Sequence, residues 1–401
     1  MDKDNSNLSG LWKKLNQATP TIKKKTMVVV LIVVTVMFAI LTDGKMLNPS
    51  NVTNLILQNA YVFVLATGML LCILTGGNID LSVGSIVCIV GAIGAKLMVN
   101  MQVNIYLAIL VMIGVGTLIG AWHGFLIAVV RIPPFIATLA GMLIFRGLSN
   151  VILEGLTISS LPKSYLNLFN TYVPDIFNGP KDFNITCMVV GVFACMVYVI
   201  SQIISRNTKL KKGYEVPSLL NMTLKMVFIS IVVLSFMFRL AQHNGIPAVL
   251  FWIVVIILIY NFITSKTTFG RYFYAVGGNE KASRLSGINT QKVYFTAYLN
   301  MGFLSAIAGM ITMSRLYSAT PTSGNNYELD AIAACFIGGA SAYGGIGTVP
   351  GVIIGAILMG VINLGMFIMG VDSDRQKIVK GIVLLAAVAF DVVSKKSGKR
   401  N

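Results

Sequence analysis

The sequence predicts an all-α, polytopic membrane protein with about twelve transmembrane or re-entrant helices. Three observations predict it. Hydrophobic residues make up 56% of the 401 residues and charged residues only 11%, at a mean hydropathy of +0.80. Soluble domains carry about 25% charged residues. Apolar runs close to the roughly 20 residues that a bilayer core requires recur along the whole chain. Lysine and arginine gather in alternate connections between those runs, the pattern of the positive-inside rule.

The runs are 26–42, 58–75, 83–99, 104–130, 134–154, 184–204, 225–242, 246–265, 293–314, 329–342, 349–369 and 377–394. Residues 1–25 form a polar, basic lead, with a surface-lying helix expected around Leu8–Leu15. The first run follows cationic residues as in a signal peptide, but no small-x-small site precedes Asp43-Gly44-Lys45, so an uncleaved first span is expected. Thr75–Ser85 is a glycine-rich break between two spans, holding Gly76, Gly77, Asn78 and Asp80. The segment 155–184 is the longest outside connection, with the aromatics Tyr165, Phe169, Tyr172 and Phe177. It is read either as a passive loop or as part of a seat for an external protein. Residues 205–242 read as extra material, one hydrophilic loop and one span, between two halves. The glycines of Gly76–Ala92 are echoed by Gly338–Ala356, through a duplicated half or by chance spacing. Residues 26–394 thus form one membrane domain, and 395–401 a basic tail.

The net charge of +17 comes mainly from the lead, 205–225, 266–292 and the tail. That distribution places both termini and the 266–292 loop in the cytoplasm. No folded soluble segment displays these clusters, so nucleic acid is not the expected partner. The five cysteines lie in apolar runs without metal or redox spacing and are expected as free thiols.

The most informative stretch is 266–292. Asn279 can cap a short helix with Glu280 in its first turn, favourable for a helix N-terminus. Ala282, Leu285 and Ile288 fall at helical spacing, while Lys281 and Arg284 make the other face basic. Gly287 is expected to end the helix in a left-handed turn. The segment reads as a docking plug for a soluble partner.

The run Gly270–Asn289 resembles the segment by which permeases of bacterial sugar ATP-binding-cassette (ABC) importers contact their ATPase. Its Ala282-Ser283-x3-Gly287 core is similar to the heart of that family's coupling loop, although Lys281 stands where many members carry an acid. Thr75–Ser85, Ser323–Ala334, Gly338–Thr348 and Ile378–Leu385 extend the likeness in family order over nearly everything after about residue 55. Among ribose, xylose and multiple-monosaccharide permeases, the chain most resembles the xylose or multiple-monosaccharide type. The resemblance implies a cytoplasmic coupling helix, with Gly278, Asn279, Glu280, Lys281, Ala282, Ser283, Arg284 and Gly287 meeting an ABC ATPase subunit. It further implies an external sugar-binding protein, a second permease copy in a homodimer, no cofactor on this chain, and ATP used by the partner. The expected location is the bacterial cell membrane.

Candidate pathway residues are Gly76, Gly77, Asn78, Asp80, Asn300, Asp330 and Asn363. Backbone freed by glycines in a membrane must pack in protein or line a watery cavity. Asp80 either lines the path or caps the helix near Val83 in a short cytoplasmic turn. Asp330 and Glu328 serve the path or act as dipole partners at a helix start. Asn300 and Asn363 bond a neighbouring helix or meet a sugar hydroxyl, and His123 is expected as an interhelical hydrogen-bonder. Lys96, Arg146, Arg239 and Lys380 are expected to snorkel from span ends.

Three functions compete. An ABC permease explains 266–292, and the chain carries no G-x-x-x-x-G-K-[ST] loop of its own. An ion-coupled secondary sugar transporter also has about twelve spans, but offers only Asp80 as a coupling carboxylate. A membrane enzyme needs paired carboxylates, a metal cluster or a nucleophile with its base, and only His123 and His243 are on hand.

Overall fold

In the computed structural model the described residues are 19–399, apart from 178, 181, 215 and 217. The expected surface helix around Leu8–Leu15 and most of the basic lead lie outside them, as do the last two residues of the tail.

The chain is helical almost throughout. Helix α1 (Thr19–Leu41) leads to α2 (Pro49–Leu74) and α3 (Val83–Ala95), which runs on through a π-helical turn to Asn100. Then come α4 (Ile105–Ala128), α5 (Pro134–Leu153), the short α6 (Lys163–Asn170), α7 (Ile185–Lys211), α8 (Leu219–Ala241) and α9 (Ala248–Lys266). Two short helices, α10 (Thr268–Gly278) and α11 (Glu280–Leu285), precede α12 (Thr290–Leu316), α13 (Tyr327–Ile337), α14 (Val349–Ile368) and α15 (Ser373–Lys399). Among the described residues, nine helices are long and apolar enough to cross a membrane: α2, α3 with its extension, α4, α5, α7, α8, α9, α12 and α14. The run 329–342 is a correction: α13 has 11 residues, about 16 Å, because Gly338 and Gly339 break it half-way. The segment 266–292 is likewise more helical than its polarity suggests, since α10 fills its first half.

The centre is α2, whose most apolar window is 89% buried, wrapped by α9, α12, α13 and α14. α7 and α8 are 17% buried and form a hairpin at the edge, so their apolar faces are left for lipid. α4 and α12 cross almost backbone to backbone. A Cβ on Gly302 would stand 2.2 Å from the Gly116 carbonyl oxygen, and one on Gly120 2.5 Å from that of Tyr298. Without a hydrophobic drive between helices in lipid, such small-residue contact holds spans together.

The connection 155–184 is packed against the helices of its own chain. Strand β1 (Ile158–Ser159) pairs antiparallel with β2 (Ser318–Ala319), Ile158 opposite Ala319. Tyr165 donates to the Met310 carbonyl (2.8 Å) and Asn170 to that of Ser314 (2.6 Å), so α6 is seated on α12. Tyr165 and Phe169 are therefore buried and unavailable to an external partner, whereas Phe177 is exposed. Asp175 accepts from the Thr186 hydroxyl (2.7 Å) and from the amides of Gly179, Ile185 and Thr186. These bonds, the Thr186 hydroxyl foremost, hold its carboxyl well below the usual range and pin the loop to the start of α7.

Candidate coupling and translocation site

The short helix α11 has both ends closed. The Asn279 side chain accepts from the Ala282 amide (2.9 Å) at the front. At the back, Gly287 takes φ +83°, its amide donates to Arg284 O (3.1 Å), and the Ile288 amide reaches Ser283 O (3.0 Å). This is a Schellman ending, and it needs a residue that tolerates positive φ. Glu280 is held from the side by Arg131 (3.2 Å) and by the Tyr294 hydroxyl (3.1 Å). Gly278, Asn279, Lys281, Ala282, Arg284 and Gly287 are exposed, Ser283 is buried, and Leu285 is 91% exposed. Of the expected apolar stripe, Ala282 and Leu285 face outward while Ile288 turns back against the core. The sequence reading missed Arg131 and Tyr294. Their only signal was that Glu280 needs a cation and that the Arg131–Pro133 turn carries one.

The first glycine break closes on the second. A Cβ on Gly77 would lie 1.9 Å from Ala342 O, and one on Gly344 would lie 2.4 Å from Gly76 Cα. The two glycine-rich stretches that echo one another in sequence therefore touch. Asn78 donates to Thr75 O (3.3 Å) and Thr75 Oγ1 (3.2 Å) within the break. Asp80 is 1% exposed and accepts from the Ser82 amide (2.8 Å) and hydroxyl (2.6 Å). It shapes the turn before α3 without touching the amides of that helix's first turn, and its burial is not that of a solvated cytoplasmic turn. The first turn of α3 also meets the connection before α13: a Cβ on Gly84 would stand 2.1 Å from Gly324 O and 2.6 Å from Glu328 Oε2. Two helices that follow irregular backbone thus open beside one another, the arrangement transporters use around a path.

The largest departure from expectation is the partner of Asp330, which lies in the first turn of α13 as a dipole partner would. Its carboxylate takes the Lys380 ammonium at 2.9 Å and the Tyr61 hydroxyl, and Tyr61 stacks on Tyr327 with ring centroids 3.5 Å apart. Lys380 does not snorkel. It crosses from α15 to pair with a fully buried acid, which a bilayer-depth charge requires. Arg146 also turns inward, donating to the carbonyls of Pro321 (3.2 Å) and Ser323 (2.7 Å). Lys96 meets Glu154 at 2.9 Å near the end of α5, and Arg239 lies 3.5 Å from Gln242. Asn300 accepts from the Tyr260 hydroxyl on α9, and Asn363 donates to Asn59 on α2 (3.1 Å). Asn300, Asp330 and Asn363 share no partner and form no single site. His123 makes no hydrogen bond among the described residues; its ring lies against Trp122, Phe145 and Gly141. The expected interhelical bond is absent because a glycine faces the ring where a polar partner would have to stand.

The five cysteines are unpaired, and among the described residues no three or more His, Cys, Asp or Glu side chains gather as a metal site would require.

A family model described as branched-chain amino acid transport system / permease component matches residues 51–388. The chain belongs to this permease family. The xylose transport system permease protein XylH of Escherichia coli (strain K12) is 36% identical to it over 370 residues, 92% of either chain. XylH of Haemophilus influenzae is also 36% identical, over 92% of this permease and 96% of its own length. The ribose import permease protein RbsC of Escherichia coli (strain K12) is 32% identical over 369 residues, 92% of this permease and 93% of its own length. No solved structure matches the chain.

Proposed function

We propose that this permease is the transmembrane subunit of an ABC importer that carries a monosaccharide, xylose or a related sugar, delivered by an external binding protein. ATP is hydrolysed in a separate subunit, and two permease copies enclose the path. The observation that carries this reading is α11: capped at both ends, held by Arg131 and Tyr294, and presenting Leu285 outward with Lys281 and Arg284 also exposed. An exposed leucine on a rigid, basic helix fits a groove on a soluble partner. The likeness to XylH and RbsC supports the sugar as cargo.

The test uses two substitutions that meet no neighbouring atoms in the free permease. A Cβ at Gly287 meets nothing within 4 Å, and Ala282 is exposed, so neither change clashes within the chain. Gly287→Val, strained at φ +83°, and Ala282→Glu are expected to insert normally, to lose co-purification with the ATPase, and to abolish sugar uptake. Unchanged association and uptake in both would leave α11 as ordinary surface and favour ion-coupled transport.

The orientation follows the basic clusters, with both termini and 266–292 in the cytoplasm of the inner membrane. Cysteines placed at Ala275 and Lys209 are expected to resist impermeant thiol reagents in intact cells, and cysteines at Leu156 and Phe177 to label. Labelling of Ala275→Cys from outside inverts the topology.

A further inference from the structure

Three stretches of backbone, distant in sequence, meet just past the end of α2. They are Leu74–Gly77, Gly277 near the end of α10, and Ala342–Gly345 in the second break. The Gly345 amide donates to Leu74 O at 3.0 Å. A Cβ on Gly277 would stand 1.7 Å from that same oxygen and 2.6 Å from the Gly345 nitrogen. Gly77 and Gly344 complete the junction through the close approaches to Ala342 O and Gly76 Cα described above. One turn earlier in α10, Tyr274 ties the same region down by donating to Gly347 O at 3.0 Å.

Contacts between side chains can yield by changing rotamer. Contacts between main chains cannot, so a displacement of one partner is handed to the others with little loss. The placement of this stiff element matters. Only Gly278 and Asn279 separate Gly277 from the first residue of α11. On its other side the junction grips both glycine breaks, including the one that carries Asn78 and Asp80.

We propose that this glycine junction is the positioning element through which a push on α11 reaches both breaks at once, so that the two breaks move as a single body. It rests on the reading of α11 as the ATPase contact. A helix pressed at its exposed face has three routes inward: through the start of α12, through the Glu280–Arg131 ion pair to the turn between α4 and α5, and through Gly277. The last leads directly to both irregular segments. A junction serving stability alone would need no such placement beside α11.

The experiment uses the complete transporter, with its ATPase and binding protein, in proteoliposomes. Gly277→Ala leaves the exposed face of α11 untouched but wedges a methyl between α10 and Leu74. It is expected to keep ATPase association while sugar transported per ATP hydrolysed falls about tenfold. A merely destabilised fraction loses uptake and permease-stimulated hydrolysis together and leaves that ratio unmoved. Gly147→Ala on α5, where a Cβ meets nothing within 4 Å, is expected to leave the ratio at the wild-type value. An unchanged ratio in Gly277→Ala overturns the proposal.

If the alanine variant does not accumulate, spin labels decide the matter with every glycine in place. Labels go on exposed positions, Ala275→Cys on α10 and Tyr343→Cys in the second break, with Leu118→Cys on α4 as reference. The 275–343 distance is expected to stay fixed between the nucleotide-free and ATP-analogue states, while both labels shift against α4. A changing 275–343 distance, or no shift of either label against α4, overturns the proposal. Failure of the wild-type permease to bind any ATPase removes the functional reading instead.

Discussion

Replacing Lys380 by methionine is expected to destabilise the permease by about 3–5 kcal/mol, the usual cost of breaking a buried ion pair from one side. The methionine fills the space of the lysine stem, so the loss is electrostatic. Asp330, 1% exposed at its side chain, loses its ammonium partner and keeps the Tyr61 hydroxyl. The paired change Asp330→Asn with Lys380→Met is expected to recover most of that loss. It removes both charges, spares their desolvation, and keeps an oxygen for Tyr61 to donate to. Thermal unfolding of purified permease, read beside membrane abundance, gives the comparison. If the double variant is as unstable as Lys380→Met, the charge pairing is not what holds α13 to α15.

That ion pair also shows where the sequence stops being legible. The apolar runs, the caps of α11 and the left-handed turn at Gly287 are local. Each is decided within a few residues, and each is found where the pattern places it, apart from the run 329–342, whose helix stops at Ile337. Lys380 and Asp330 are 50 residues apart. Taken alone, a lysine in an apolar run looks like one reaching for the interface. The available signal was a balance: Asp330 was an acid in an apolar run, and a buried acid requires a cation.

The glycines divide in the same way. Gly287 declares itself by position, after a short capped helix. Gly277 is needed because other backbones press on it, and nothing local records that contact; Gly345 adds to such a contact a φ of +68°. The half-length of α13 belongs with them, since Gly338 ends the helix where a Cβ would stand 2.6 Å from Gly351 O of α14. His123 shows the opposite error: its type suggested a bond, and the facing residue, Gly141, supplies none.

The second large effect is expected at the first break, where Gly77→Val and Asp80→Ala separate backbone from side chain. Gly77 has φ +78°, and its absent Cβ would stand 1.9 Å from Ala342 O. A valine there bears the left-handed penalty, about 1–2 kcal/mol, before any clash is counted. The clash is with main chain, which cannot swing aside, so the two breaks must part. Gly77→Val is therefore expected to lose both abundance and uptake. Asp80→Ala leaves the backbone conformation available and removes a carboxylate that, among the described residues, bonds to Ser82. Its cost to abundance is expected to be small, because the buried charge leaves together with its desolvation. If the break gates or lines the path, uptake per permease molecule falls all the same, by about tenfold, equivalent to ~1.4 kcal/mol in the barrier. Transport normalised to membrane abundance reads the difference. Full uptake by Asp80→Ala at normal abundance reduces Asp80 to a former of the turn before α3, and leaves Gly77 as the residue on which the break depends.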